Sequence, residues 1–283
     1  MLRTFQNRDI EDFFFLASIL RLATKYLMNH LRTQAIEALT QTWAYTLEGH
    51  DAMVDRALKA PVGSEPTSLT YPYVHPLHVL NVARENHIRV IIPSVLYFLS
   101  VYPFSDLMHG NHPKLLAESR TGLTRPATTL SSEDMGNYTL MYQHRIELML
   151  DFVRRFCGSR RSSMLCDNRR SSAQNAINVG PNPIGLGHPR LSTDESDPCG
   201  IAFARLASRA SRSWYPRTGP LSWMLQVTQF LRQDASICKK CVSDFEMEMQ
   251  SLREHIWRSL PGVVGLPQWG ELIESDLPKD PGR

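Results

Sequence analysis

The sequence lacks an uncharged apolar stretch long enough to cross a membrane. Its most apolar run, residues 90–105, contains Pro93 and Pro103 and is shorter than the roughly 20 residues that a membrane-spanning helix needs. A secretory signal is not expected either, because acidic rather than basic residues stand at positions 9, 11 and 12, before the first apolar run. We therefore expect an intracellular protein, cytoplasmic or nuclear, that does not bind a membrane.

Catalytic signatures are also lacking in the sequence. It contains no nucleophile elbow, zinc-protease helix or kinase motif, and the Asp and Glu residues form no obvious buried pair. The glycine-rich segment 180–187 lacks both the Lys-Ser/Thr ending of a phosphate loop and a preceding strand. The formal net charge of +3 is too small to require nucleic acid as a partner. These absences predict a non-catalytic protein.

An internal duplication is the most informative feature that the chain does have. Residues 19–39 and 79–99 repeat one apolar pattern at an offset of sixty, with Leu20 matching Leu80. In both copies the apolar positions fall at helical spacing on either side of a polar bend, which predicts two helical hairpins. One hairpin cannot bury its apolar stripe alone, so we expect stacked copies in a mostly α fold.

Composition elsewhere separates helices from irregular chain. Four prolines mark residues 59–76 as a linker, and residues 104–130 are interpreted as a long loop. Residues 158–198 are rich in Ser, Arg, Asn, Gly and Pro, so we expect a disordered basic insertion there. A capping signal at Ser131 or Ser132 predicts that a helix begins there. Apolar spacing predicts further helices over about 221–231 and 238–260.

Cysteine is scarce, with five residues, and its placement suggests a metal site. Cys238 and Cys241 are separated by two lysines at a predicted helix start, a spacing that lets both thiolates reach one tetrahedral ion. A closed site needs a second pair, for which Cys166 and Cys199 are the candidates. The alternative is that all five cysteines are free thiols, and Cys157 is expected to be a packing thiol in either case.

Two histidine pairs and an arginine-rich segment are weaker candidates. Each histidine pair is three residues apart beside proline, and two ligands are too few for a metal, so both are discounted. Six arginines could bind phosphates or an acidic partner. Because Phe156 is the one aromatic residue among them, base stacking is not indicated, and a solvated, disordered segment is favoured. The pairs are His75/His78 and His109/His112, and the arginines are Arg154, Arg155, Arg160, Arg161, Arg169 and Arg170.

Several segments together resemble BTB/POZ proteins of mushroom-forming fungi. Residues 19–39 are similar to the closing helices of a BTB domain, and the later segments are similar to the region that follows it. Those later segments are 76–85, 92–97, 130–134, 257–261 and 265–272. The resemblance implies a non-catalytic protein–protein interaction adaptor. It also implies structural zinc, because the family's downstream cysteines end in a CxxC that maps onto Cys238 and Cys241, with Cys166 and Cys199 as weaker matches.

The resemblance also implies that the chain is truncated. The strands and first helices of a BTB fold would precede residue 1, so homodimerisation and cullin binding are left open. The expected order is closing BTB helices over 1–58, the linker 59–76, a BACK-like helical region over 77–157, the insertion 158–198, a helical region with the CxxC over 199–275, and a tail over 276–283. The alternative function is a zinc-stabilised nucleic-acid-associated regulator that uses the arginine-rich segment.

Overall fold

The computed structural model describes residues 10–59, 74–116, 118–119, 122–168, 197–213 and 219–278. Throughout these ranges the regular structure is helical and contains no strand, which confirms the predicted mostly α class. The helices are α1 (Ile10–Lys25), α2 (Asn29–Thr40), α3 (Leu47–Lys59), α4 (Pro76–Glu85), α5 (Ile92–Leu99), α6 (Phe104–His109), α7 (Pro113–Leu116), α8 (Ser132–Asp151), a π-helix (Phe152–Cys157), α9 (Pro198–Ser213), α10 (Pro220–Arg232), α11 (Lys239–Val263) and α12 (Trp269–Asp276).

The chain divides into two compact units. Unit 1 takes the described residues up to Arg145 together with those from Glu254 onward, and unit 2 takes those from Ile146 to Arg253. No helix within the described ranges is both long enough and apolar enough to cross a membrane.

The duplicated hairpins of unit 1 share their turn geometry. Helix α1 packs on α2, and α4 packs on α5. The Met28 N–H donates to the Ala23 carbonyl at 2.8 Å, and sixty residues later the Ile88 N–H donates to the Ala83 carbonyl at the same distance. Each bond closes the C-terminal turn of the first helix around a residue with positive φ. The repeated sequence pattern therefore produces the same turn between two packed helices in both copies.

The core of unit 1 is built from the apolar stripes of these helices and from the C-terminal segment. All eight residues of α5 are buried, and α1 buries Phe13, Phe14 and Leu20. The indole N–H of Trp257 donates to the Tyr45 carbonyl, and that of Trp269 donates to the Trp257 carbonyl. The segments 257–261 and 265–272, which carry part of the family resemblance, therefore contribute packing contacts to unit 1.

Several predicted boundaries need correction. Residues 104–130 are not a continuous loop, because α6 and α7 form within them, and α11 continues past Pro261 to Val263. The predicted linker 59–76 overlaps two helices at its ends, because α3 ends at Lys59 and α4 begins at Pro76. Its residues 60–73 lie outside the described residues. Helices α3 and α9 were not predicted. The cap of α8 is confirmed, since the Ser131 hydroxyl accepts from the Asp134 N–H at 3.1 Å.

The expectation of disorder over 158–198 is wrong for the part that the structure describes. Residues 158–168 belong to unit 2 and carry the buried Cys166, and Asp197 caps α9, which begins at Pro198. Residues 169–196, the remainder of the expected insertion, lie outside the described residues.

Acid should destabilise unit 1 through two buried histidines at the start of α4. Burial, assisted by the nearby His112 and Lys114, lowers the pKa of His75 from 6.5 to about 2, and burial lowers that of His78 to about 4. The unfolded chain therefore binds more protons below pH 6.5, and the free energy of unfolding should fall by about 1.4 kcal/mol per pH unit per histidine from pH 6.5 down to about 4.

Urea unfolding at pH 7 and pH 5.5 would measure this loss. The His75→Asn variant keeps an acceptor for the Leu77 N–H, which His75 Nδ1 binds at 3.1 Å, but cannot titrate, so its pH dependence should be shallower. The exposed His30→Asn variant is the control and should behave like the wild type. Equal pH dependence in all three proteins would contradict the prediction.

Candidate metal centre

Four cysteine thiols meet inside unit 2. The Sγ atoms of Cys166, Cys199, Cys238 and Cys241 all lie within 4.8 Å of one another, and all four residues are buried. The Cys166 sulfur is 3.6 Å from that of Cys199 and 3.8 Å from that of Cys238. When four sulfurs coordinate a metal ion tetrahedrally with metal–sulfur bonds of about 2.3 Å, the sulfurs lie roughly 3.8 Å from one another. The cluster therefore has the size of a four-thiolate metal site.

Two helix N-termini converge on this cluster. Cys199 lies in the first turn of α9, and Cys238 and Cys241 lie immediately before and within the first turn of α11. The Cys241 N–H donates to the Cys238 sulfur at 3.5 Å, so that the thiol occupies the position of a helix cap. The partial positive charge of a helix N-terminus favours the thiolate form that binds metals.

Asp197 joins the start of α9 to the segment that carries Cys166. One carboxylate oxygen accepts from the Gly200 N–H at 2.9 Å, which caps the helix, and the other accepts from the Ser162 N–H at 3.2 Å. A Cβ atom on Gly200 would lie 2.5 Å from the Asp197 carboxylate, so a side chain there would displace the cap. The Asp-Pro-x-Gly sequence at 197–200 is typical of a helix start, so the sequence does contain a local signal for α9.

Further N–H groups point at the sulfurs. The Ser163 N–H donates to the Cys241 sulfur, and the Cys238 N–H and the Asn168 side-chain amide both donate to the Cys199 sulfur, each at 3.3 Å. Asn168 also donates to the Ser236 carbonyl at 3.0 Å. Such donors stabilise anionic sulfur and fix its orientation, as outer-shell groups do around bound metals. Nothing in the sequence pattern identified Ser163 or Asn168.

The thiols differ in acidity. Burial raises the pKa of Cys199 to about 11, and burial also raises that of Cys241. Burial opposes ionisation at Cys238 as well, but hydrogen bonds from the backbone of Cys241 and Asp167 and from neighbouring thiols lower its pKa to about 7. At neutral pH Cys199 and Cys241 are therefore protonated, and a cation that binds to their sulfurs would release protons.

Cys157, the fifth cysteine, packs inside unit 2 as predicted and is not among the four clustered thiols. Burial raises its pKa to about 12, so the thiol stays protonated and unreactive at neutral pH. It provides a natural control for experiments on the cluster.

The arginine-rich segment is not a uniformly solvated run. The Arg160 guanidinium lies 5.1 to 5.3 Å from the ring centres of Phe156, Phe203 and Phe245 and forms two hydrogen bonds with Glu248, at 2.8 and 2.9 Å. This contact helps to order the segment before Cys166. Arg154, Arg155 and Arg161 are exposed, whereas Arg169 and Arg170 lie outside the described residues.

The histidine pairs do not form a second metal site in the described part of the chain. The His75 ring packs against Tyr102 and His112, and the His78 ring packs edge-on against Phe14. Among the described residues, the four cysteines are the one group of three or more potential ligands with metal-binding spacing.

Comparison of the chain with protein-family models, with curated proteins and with solved structures gives no match. Within the described residues, the fold and the site define a mostly helical protein with a buried four-cysteine cluster.

Proposed function

We propose that the chain is a non-catalytic protein-interaction adaptor, related to BTB proteins, in which unit 2 is held together by a structural zinc ion. The observation that carries the zinc part of the proposal is the convergence of four buried cysteines from three separate chain segments. Zinc is the divalent ion that proteins most often bind with four tetrahedral thiolates.

The chemistry of the donors fits zinc. Four thiolates around Zn²⁺ carry a net charge of −2, which the N–H groups directed at the sulfurs would help to offset. A site filled by four protein ligands leaves no coordination position for a substrate. The ion would therefore hold the chain together and would not take part in a reaction.

An apolar tip on the first hairpin of unit 1 supports the adaptor role. We define the hairpin tip as Leu22, Tyr26, Leu27 and Met28, whose exposed fractions are 51%, 62%, 81% and 40%. Four neighbouring large apolar side chains at one turn are more than the scattered exposure that ordinary surfaces show, and such patches mark interaction sites.

The backbone at Leu27 adds to this argument. Leu27 has φ of 55°, a conformation in which a leucine costs roughly 1 kcal/mol and glycine or asparagine is favoured. The matching residue of the second hairpin, His87, has φ of 53° and is also exposed. Leucine at position 27 is therefore unfavourable for stability, whereas an exposed leucine suits a surface that contacts another protein.

Exchange of Leu27 should separate binding from stability. Leu27→Asn should leave the free energy of unfolding unchanged or raise it by about 0.5 kcal/mol, because asparagine tolerates positive φ. It should also lower the recovery of bound partners by about tenfold, since the apolar area of one leucine is lost from the interface.

Affinity purification of the tagged chain from a mushroom-forming fungal host, with quantitative mass spectrometry, would measure that recovery. The matched control is His87→Asn, which makes the same exchange at the equivalent turn and should retain all partners. Recovery of no protein above the tag alone would overturn the adaptor proposal, and equal recovery with Leu27→Asn and the wild type would exclude the hairpin tip as the contact.

A further inference from the structure

A groove in unit 2 runs between α9 and the C-terminal end of α10. Its volume is about 650 Å³, and its floor includes the buried Ala202, Leu206 and Leu231. The loop after α10, residues 233–235, closes one side of the groove. A cavity of this size accommodates several side chains of a bound segment.

Three arginines of α9 line one wall of the groove. Arg205, Arg209 and Arg212 are spaced by four and three residues, so they lie on one face of the helix over about 10 Å. All three are exposed. The Arg209 guanidinium lies over the Phe230 ring, 4.0 Å from its centre, a cation–π contact that helps to hold the charged group at the groove wall.

Asp234 is the acidic residue that lines the groove, and its carboxylate accepts hydrogen bonds from neighbouring groups. Its carboxylate accepts from the Ser236 N–H at 2.9 Å, from the Ser236 hydroxyl and from Arg205 at 3.3 Å. Arg205 is thereby partly neutralised, so the positive charge of the groove is concentrated at Arg209 and Arg212.

Contacts around the cysteine cluster connect the N-terminal part of α9 to the loop on the other side of the groove. Cys199 lies in the first turn of α9, and Asn168 connects the Cys199 sulfur to the carbonyl of Ser236, whose hydroxyl accepts from Arg205. The position of α9 relative to the 233–236 loop therefore depends on the same contacts that surround the sulfurs.

We propose that this groove binds an acidic, helical peptide segment of a partner protein. The proposal rests on the adaptor function and names the chemistry of the partner. Carboxylates at i, i+4 and i+7 of a helix match the spacing of the three arginines, and the guanidinium fork pairs with a carboxylate through two hydrogen bonds. Apolar side chains between the carboxylates would contact the floor.

Nucleic acid fits the groove less well than a peptide does. Single strands are bound through an extended basic track with several stacking aromatic residues, whereas this groove offers a wall of about 10 Å and one ring, Phe230. The formal charge of the whole chain, +3, is also low for a nucleic-acid-binding protein.

Fluorescence anisotropy with the full zinc-loaded chain tests the proposal. The probe is a fluorescein-labelled helical peptide of about 15 residues with glutamates at i, i+4 and i+7. The Arg209→Gln/Arg212→Gln double variant should bind it about tenfold more weakly than the wild type. The Arg154→Gln/Arg155→Gln double variant removes the same charge from exposed positions on the π-helix and should bind normally.

A second probe keeps the test independent of the folding of the variants. A peptide with glutamine in place of the three glutamates should bind the wild type at least about tenfold more weakly. Equal binding of both peptides, or equal loss in both double variants, would overturn the proposal. Tighter binding of a thymidine oligonucleotide of about 15 nucleotides would also overturn it, in favour of nucleic acid.

The two proposals fail in different ways. Recovery of no partner by the wild-type chain would overturn the adaptor proposal, even where the acidic peptide still binds to the groove. Partners captured through the hairpin tip with no binding of the acidic peptide would overturn the groove alone.

Discussion

Removal of zinc from the cysteine cluster should unfold unit 2. The ion would tie together the segment around Cys166 and the first turns of α9 and α11, and structural zinc contributes on the order of 10 kcal/mol to folding in small domains. Without it, four cysteine side chains would remain in the core with only weak sulfur hydrogen bonds between them. Circular dichroism of the zinc-loaded chain before and after addition of a strong chelator should record a large loss of helix and a lower melting temperature.

Two substitutions of buried cysteines provide the control for this experiment. Cys241→Ser should melt like the chelated wild type and should not respond to added zinc. Cys157→Ser changes a buried thiol outside the cluster and should keep the response to the chelator. Melting curves of the wild type that are identical with and without chelator would contradict the prediction.

A large loss of stability is also expected in unit 1 when either of two equivalent leucines of the repeat is replaced by aspartate. Leu20 and Leu80 are each fully buried. Exchange of either residue for aspartate would place an unpaired carboxylate in the core and should cost about 4 kcal/mol or more, most of the stability of an ordinary domain. The repeat further predicts that Leu20→Asp and Leu80→Asp have similar effects.

Urea unfolding followed by circular dichroism would measure these costs. The Leu22→Asp variant, on the same helix as Leu20 but 51% exposed, is the matched control and should change the free energy of unfolding by less than about 1 kcal/mol. A folded and stable Leu80→Asp variant would show that the apolar stripe of α4 does not hold unit 1 together.

The helices with a regular apolar stripe could be predicted from the sequence. Helices α1, α2, α4 and α5 belong to the repeat, and α8, α10 and α11 follow apolar spacings of three and four with recognisable caps or breakers. Pro93 lies in the first turn of α5, as its missing N–H requires.

The missed elements depend on contacts that no local pattern encodes. Helix α3 has only a short apolar face, and its buried His50 packs against Phe98 and Trp257, which are distant in the sequence. Residues 158–168 have the composition of a loop, but Arg160 is held by three phenylalanine rings from different elements. In both cases tertiary packing outweighs local propensity.

The candidate metal centre could also be predicted only in part from the sequence. The CxxC pair at a helix start could be read directly from the sequence, because the spacing and the helix cap are local features. The approach of Cys166 and Cys199 could only be proposed, because the spacing of cysteines far apart in the chain does not determine their positions in space. The supporting groups Asp197, Ser163 and Asn168 act through backbone geometry that only the fold supplies.

Metal content of the purified chain tests the central claim most directly. Elemental analysis combined with native mass spectrometry should find one zinc ion per chain in the wild type and in Cys157→Ser, and should find stoichiometric zinc lost in Cys238→Ser. A wild-type chain purified without chelator that holds no stoichiometric zinc, or a Cys238→Ser variant that holds as much as the wild type, would contradict the account.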